Sequence, residues 1–259
     1  MAGINRLGYA FAVGKIRVME TRLLTKKDFL KILDLDLKGA LKYIVENSDY
    51  SAELLEIKDS TDLDLILDSK LSQVYLLIQE LLREKDLIQD LVLNNLSQLL
   101  KKAEAFNLDF LIDYLKSLFD LLNIKIFFRF KNLKKQKEEL VNLLFSLGYI
   151  KKDFFLDMYL KPWEVFLESF RSSAYARLVK EAYDYFNKEG SFLKLEMLMD
   201  EFLIEKIKKA KYICLGPEPL LGYYLAKRNE INLLRWVIFA KLNNLPKEKV
   251  VIRLNQTYV

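Results

Sequence analysis

The chain has 259 residues, 52% of them apolar and 30% charged, with a formal net charge of +5 and no histidine. That mix has too many apolar groups for a disordered chain and too many charges for a membrane-embedded one. The missing histidine excludes Ser-His-Asp and Cys-His catalysis, histidine general bases and histidine metal ligands. The single cysteine, Cys214, excludes an internal disulfide and thiolate metal clusters.

Glycine and proline are scarce: 8 and 4 residues, with Pro162 the first proline. Sheets joined by tight turns need Gly, Pro and Asn-Gly pairs. Their scarcity predicts an all-α chain of long helices joined by short polar turns. Lys and Glu alternate along most segments, unlike the clustered basic and aromatic surface of a nucleic-acid binder.

In chain order, Leu7 to Gly14 is a short apolar run after Arg6. Lys15 and Arg17 follow at once without a small-residue cleavage site, so it does not read as a signal core. Five residues separate Gly8 from Gly14-Lys15 and Ile16 follows, so the spacing and the magnesium ligand of a phosphate loop are both missing. Thr25 and Asp28 form a capping-box variant that opens a helix. Asp34-Leu35-Asp36 and Asp62-Leu63-Asp64 lack the glycine turn and distal glutamate of a calcium loop, and read as turn and helix-start residues. Ser51 to Glu53 and Ser60 to Asp62 read as further starts.

Three apolar stripes at three- and four-residue spacing then predict core-facing helices. The first runs over Leu65, Leu67, Leu71, Val74, Leu77, Ile78, Leu81 and Leu82. The second runs from Leu87 to Leu99, through Ile88, Leu91, Leu93 and Leu96. The third runs from Phe110 to Leu122, through Leu111, Tyr114, Leu115, Leu118 and Leu121. Gly148 reads as a helix stop. Pro162 and Pro246 each read as the first position of a helix. Cys214, in the apolar run from Tyr212 to Leu215, reads as a buried thiol. Gly216-Pro217-Glu218-Pro219 reads as a rigid turn opening a helix of about 25 residues that ends near Lys241, or roughly 37 Å. Glu218 there meets the positive end of the helix dipole. No stretch reaches the ~20 apolar residues needed to span a bilayer.

The sequence also repeats. Asp120–Val141 aligns on Glu230–Val251 at an offset of 110: Asp120 meets Glu230, Lys125 meets Arg235, Lys131 meets Lys241 and Lys137 meets Lys247. Ile124, Phe127 and Phe128 meet Leu234, Val237 and Ile238. The stretch from Lys15 to Phe29 offers a third, looser copy.

Three segments, in order along the chain, carry a family resemblance. They are Tyr9 to Leu24 with Gly14, Arg17, Glu20 and Arg22; Asp120 to Lys125 with Arg129 and Lys131; and Gly216-Pro217-Glu218-Pro219-Leu continuing through Lys227, Glu230, Arg235 and Lys241. Together the chain resembles the C subunit of the archaeal and bacterial V/A-type ATPases, the counterpart of the d subunit in eukaryotic V-ATPases. It departs from that pattern in a short connection around residues 30–110. It also carries Asn132-Leu-Lys-Lys where a small, glycine-containing turn is expected.

The resemblance implies a funnel of three similar helical units with pseudo-threefold symmetry, divided at 1–100, 101–170 and 171–259. It implies a non-catalytic central-stalk subunit of a rotary ATPase, a socket between the membrane rotor ring and the central shaft in ATP-driven proton or sodium transport. Its partners would be rotor ring and shaft subunits, with no cofactor, no nucleic acid and no membrane span of its own. Its place would be cytoplasmic, peripheral on the membrane through the complex. Arg17, Glu20, Glu218, Lys227, Glu230 and Arg235 are the candidate socket-lining or bracing residues, and Gly216, Pro217 and Pro219 the rigid turn. A surface ion pair between Lys227 and Glu230 is the plainer reading of those two. A free-standing helical-repeat scaffold for protein–protein interaction is the alternative function, although no strict 34- or 40-residue period is present.

Overall fold

Three helix starts in the first part of this chain are set by short polar side chains that satisfy free backbone N–H groups. The structure, a computed structural model, describes residues 4–251, 254 and 257–259. After a 3₁₀ turn at Arg6–Tyr9 comes α1, Ala10–Glu20. The predicted capping box opens α2, Lys26–Asp34: Thr25 Oγ1 accepts from Asp28 N at 3.3 Å and Asp28 Oδ2 accepts from Thr25 N at 2.7 Å. Asp36 caps α3, Leu37–Asn47, by accepting from Gly39 N at 2.8 Å. The start expected at Ser51 gives only a 3₁₀ turn, Ala52–Glu56. The cap of α4, Ser60–Leu81, is Asp59, whose carboxylate takes the N–H groups of Thr61 and Asp62.

The chain continues through α5 (Lys85–Val92), α6 (Leu96–Ala105), α7 (Asp109–Asn132), α8 (Lys137–Leu143), α9 (Lys152–Met158) and α10 (Trp163–Ser169). Then come α11 (Ala176–Glu189), α12 (Leu193–Lys208), α13 (Glu218–Leu242) and α14 (Lys247–Val251). The described residues contain no strand, as the composition predicts. Pro162 stands at the N-cap of α10, one position earlier than expected.

Gly190 ends α11 in the left-handed conformation, but four other helix stops use a different residue from the expected glycine. Asn94, Asn107, Lys134 and Asn244 adopt left-handed φ values of 55°, 54°, 49° and 51°. In each case the next residue's N–H reaches back five positions: Asn95 to Asp90, Leu108 to Ala103, Lys135 to Phe130 and Leu245 to Ala240. This is the Schellman arrangement, which asparagine tolerates at modest cost. Three asparagines and a lysine thus supply turns that glycine usually makes, which accounts for the low glycine content. The first of them breaks the second apolar stripe in two, between α5 and α6, and leaves Leu93 exposed.

Gly148 is not a helix stop, because α8 has already ended at Leu143. A side chain there would collide with the Asp120 carboxylate, so glycine serves a close approach. Leu65 is likewise exposed rather than core: on α4 the buried positions are Leu63, Leu67, Val74 and Ile78. Cys214 is exposed, contrary to the buried reading, because its apolar run forms a loop after α12 instead of a helix.

The chain forms two units. One comprises the described residues up to Phe110 and those from Ile204 onward; the other is Leu111–Leu203. In the first, α13 is buried on nearly every face and packs along α4. A helix apolar all round belongs in an interior. Its core gathers Phe29, Ile32, Ile44, Leu63 and Leu67 around Leu234, Val237 and Ile238. In the second unit the core is aromatic: Phe127 stacks on Phe166 at 4.2 Å and meets Tyr159 and Trp163 edge-on.

Candidate functional site

The candidate residues fall on three polar networks and one separate arginine bridge within the first unit. The central one lies on α13. Lys227 is completely buried and Glu230, one turn later, is 3% exposed. Lys227 Nζ donates to Glu230 Oε1 at 2.6 Å and to Asp49 Oδ1 at 2.5 Å, and sits 4.5 Å from the centre of the Tyr50 ring. Glu230 also accepts from the Tyr50 hydroxyl at 3.0 Å and from Leu24 N at 2.5 Å. Lys70 holds the other oxygen of Asp49 at 2.9 Å. Lys227 and Glu230 are therefore not a surface pair. A buried ammonium is tolerable only when its donors are met, and here two carboxylates and a π-face meet them.

Burial works against the charge on both carboxylates, but to different ends. It holds the Glu230 carboxyl above the ordinary range despite the attraction of Lys227. For Asp49 burial also acts upward, but Lys227 and Lys70 outweigh it, so its carboxyl sits below the ordinary range. Burial and the neighbouring Glu230 push the Tyr50 hydroxyl well up.

Arg235, further along α13, joins that helix to α4. Its Nε and Nη2 donate to Asp64 Oδ1 and Asp68 Oδ1, both at 2.6 Å. The two aspartates are one turn apart, so one guanidinium bridges both. The arginine is part-exposed, and this bridge is the rim of the helix pair rather than its centre.

The second network ties α1 to the chain's later segments. Arg17 Nη1 grips both oxygens of Glu20 at 2.8 Å. Its Nη2 donates to the carbonyls of Ala210 and Ile213 at 2.9 Å, and the Tyr258 hydroxyl donates to Glu20 at 2.7 Å. Glu20 is nearly buried.

The third network is the proline turn. Gly216 has φ of +117°, a conformation that favours glycine. Pro217 is the N-cap and Glu218 and Pro219 are the first two residues of α13, where missing N–H groups break no bond. The length of α13, 25 residues, matches the expected one. Glu218 is buried and accepts from Arg6 Nη2 at 2.6 Å, while Arg6 Nη1 donates to Leu215 O at 3.0 Å. The turn is thereby clamped to the segment before α1.

Sequence reasoning missed Asp49, Tyr50, Lys70, Asp68, Tyr258 and Arg6, which complete these networks. Asp64 and Asp68 carried a signal, since carboxylates one turn apart on an apolar helix suit an arginine partner. The others act across the fold and left none.

The 110-residue repeat is structural. α7 and α13 end in the same turn, with Lys134 and Asn244 left-handed and the same three backbone bonds behind each. Lys131 Nζ donates to the carbonyls of Met158, Tyr159 and Lys161 at the end of α9. Lys241 Nζ donates to those of Leu33 and Leu35 at the end of α2. Each lysine satisfies the free carbonyls of a neighbouring helix C-terminus and meets the negative end of its dipole. Burial lowers both ammonium groups below the ordinary lysine range.

Among the described residues no cluster of three or more His, Cys, Asp and Glu side chains could hold a metal ion, and no helix is long and apolar enough to cross a membrane. In these networks carboxylates, cations and tyrosine hydroxyls tie helices to one another and to distant segments.

The chain is 24% identical over 213 residues to the C subunit of the V-type sodium ATPase of Enterococcus hirae, covering 81% of this chain and 64% of that protein. It is 26% identical over 145 residues to the C subunit of the A-type ATP synthase of Methanocaldococcus jannaschii, covering 55% of this chain and 36% of that protein. The matches thus span less than two thirds of the length of either curated relative. No solved structure matches. The ATP synthase (C/AC39) subunit family matches residues 12–95 and 90–251, nearly the whole length of the chain, and the chain belongs to that family.

Proposed function

We propose that this chain is a non-catalytic central-stalk part of a V/A-type rotary ATPase, a socket that couples the membrane rotor ring to the central shaft during ATP-driven proton or sodium transport. The observation that carries this reading is the bracing of α13: a buried Lys227–Glu230–Asp49 knot at its centre, an arginine bridge to α4 and a clamped proline turn at its start. A torque-transmitting socket must not yield, and close-packed helices cross-linked by buried ion pairs resist deformation.

Threefold repetition in units at 1–100, 101–170 and 171–259 belongs to the same reading. It is supported by three buried or nearly buried carboxylates, Glu20, Asp120 and Glu230, each of which accepts one tyrosine hydroxyl, at 2.7, 2.8 and 3.0 Å. Membership of the family supports a position on the cytoplasmic side, peripheral to the membrane and held by other subunits.

The test is a pull-down from detergent-solubilised membranes with the full chain as bait and mass spectrometry of the bound proteins. Recovery of rotor ring and shaft subunits is expected. Recovery of soluble proteins alone would sink the coupling role and leave a helical scaffold.

A further inference from the structure

The outer face of α1, with the 3₁₀ turn that leads into it, carries an apolar seam that no described residue covers. Leu7, Phe11 and Val18 are 75%, 79% and 70% exposed. With Gly14 they follow one another at intervals of four, three and four residues. That is the spacing of a helix–helix seam, in which successive knobs enter the holes of a partner helix. The opposite face of α1, through Ala12, Val13 and Ile16, is already buried in its own unit. The helix is thus apolar on two faces and uses one.

Gly14 sharpens the point. A methyl group there would meet no atom within 4 Å, and the residue has ordinary helical φ. Neither crowding nor backbone conformation within the chain requires glycine, and glycine weakens a helix interior relative to alanine. What it does provide is room for another backbone to approach closely.

Charge defines the partner. Lys15 flanks the seam beside Gly14, and Arg22 lies four residues beyond Val18; both are exposed and neither forms an ion pair with a described residue. The one carboxylate of α1, Glu20, is turned inward and held by Arg17 and Tyr258. The flank is cationic. A second copy of the chain would oppose like charges, and flanking charges select helix partners. A lipid surface needs a broad patch and has no use for a glycine in a narrow seam.

We propose that this face of α1 docks an amphipathic α-helix of a different polypeptide, apolar at three- and four-residue spacing and acidic along its flanks. The inference rests on the coupling reading only in placing that polypeptide within the ATPase complex.

The test is photo-crosslinking in cells that make the whole complex, with benzoylphenylalanine replacing Phe11 or Val18 on α1, or Leu7 in the 3₁₀ turn that leads into it, and Lys180 of the full chain as an exposed control position. Adducts are mapped to the residue by mass spectrometry. The expected result is adducts from all three positions to one helix of one other protein, three or four residues apart, with Asp or Glu within a turn. In Gly14→Ala their yield should fall severalfold while the free chain melts at a higher temperature. Adducts to phospholipid, to a second copy, to another part of this chain, or no more than from position 180, would overturn the seam. Co-purification with ring and shaft subunits is scored separately in the same cells. Its absence with the seam adducts intact would count against the coupling reading alone.

Discussion

Asp120 and Glu230 stand 110 positions apart, on α7 and α13, and each is held in the same way. Each is buried, each accepts one tyrosine hydroxyl and each accepts one backbone N–H from a distant segment: Tyr175 and Ile150 for Asp120, Tyr50 and Leu24 for Glu230. A buried carboxylate satisfied this way locks a helix to a loop, because the N–H and the hydroxyl would otherwise lose their water without replacement. The repeated feature is therefore a fastening. It explains why a short acid recurs at this point in both copies.

Removing either fastening should be costly. Glu230→Gln puts an amide N–H₂ against donors and strips Lys227 of a counter-charge, and should destabilise the chain by about 2–4 kcal/mol. Asp120→Asn should cost about 1–3 kcal/mol. The exposed Lys42–Glu46 pair is the control: its removal should stay within about 0.5 kcal/mol. Urea unfolding of the three variants measures all three values, and equal effects at Glu230 and Glu46 would refute the bracing account.

Acid should loosen the first unit in part through Asp49. Its folded carboxyl lies below the ordinary value, so the unfolded chain binds that proton first as pH falls. The stability it contributes is complete above the ordinary carboxylate range. It is lost as pH drops through that range to the folded value. Glu230, held above the ordinary range by burial, has the opposite sign and offsets part of the loss. Asp49→Asn should therefore show a shallower fall of unfolding free energy between neutral and acid pH than the parent chain. A profile parallel to the parent's would refute this assignment.

Lys134 occupies a left-handed position that costs a side-chain-bearing residue roughly 1 kcal/mol. Its counterpart in the other copy is Asn244, which tolerates the conformation better. Lys134→Asn should raise the stability of the chain by about 0.5 kcal/mol without altering its helix content. Thermal melts followed by circular dichroism would detect the shift, and a lower melting temperature would contradict it.

Gly14→Ala separates the free chain from the assembled one. In isolation the substitution should stabilise α1 by about 1 kcal/mol, since the new methyl group enters open space. A loss of stability in the isolated chain would mean that Gly14 serves an internal contact after all.

Much of the fold could be read from local chemistry. The scarcity of glycine and proline predicted helices throughout. The capping box at Thr25 and the start and length of α13 followed from side chains acting within a few residues of themselves. The 110-residue repeat was visible because the same local roles recur in order: acid, apolar helix, basic stop, turn. The helix break at Asn94 was missed because asparagine did the work of glycine there, and left-handed backbone at asparagine is permitted but not demanded. The second apolar stripe was divided at Asn94 for that reason.

What only the tertiary structure decided is where charges go. Lys227 and Glu230 read equally well as a solvated pair, because spacing along a helix says nothing about what covers it. Burial turned them into an internal brace by bringing Asp49, Tyr50 and Leu24 across some 180 to 206 residues of chain. Cys214 was exposed by the same kind of decision, its apolar run ending as a loop. Local propensity depends on neighbours in sequence, whereas the cost of an unpaired charge depends on neighbours in space, and those exist only once the chain has folded.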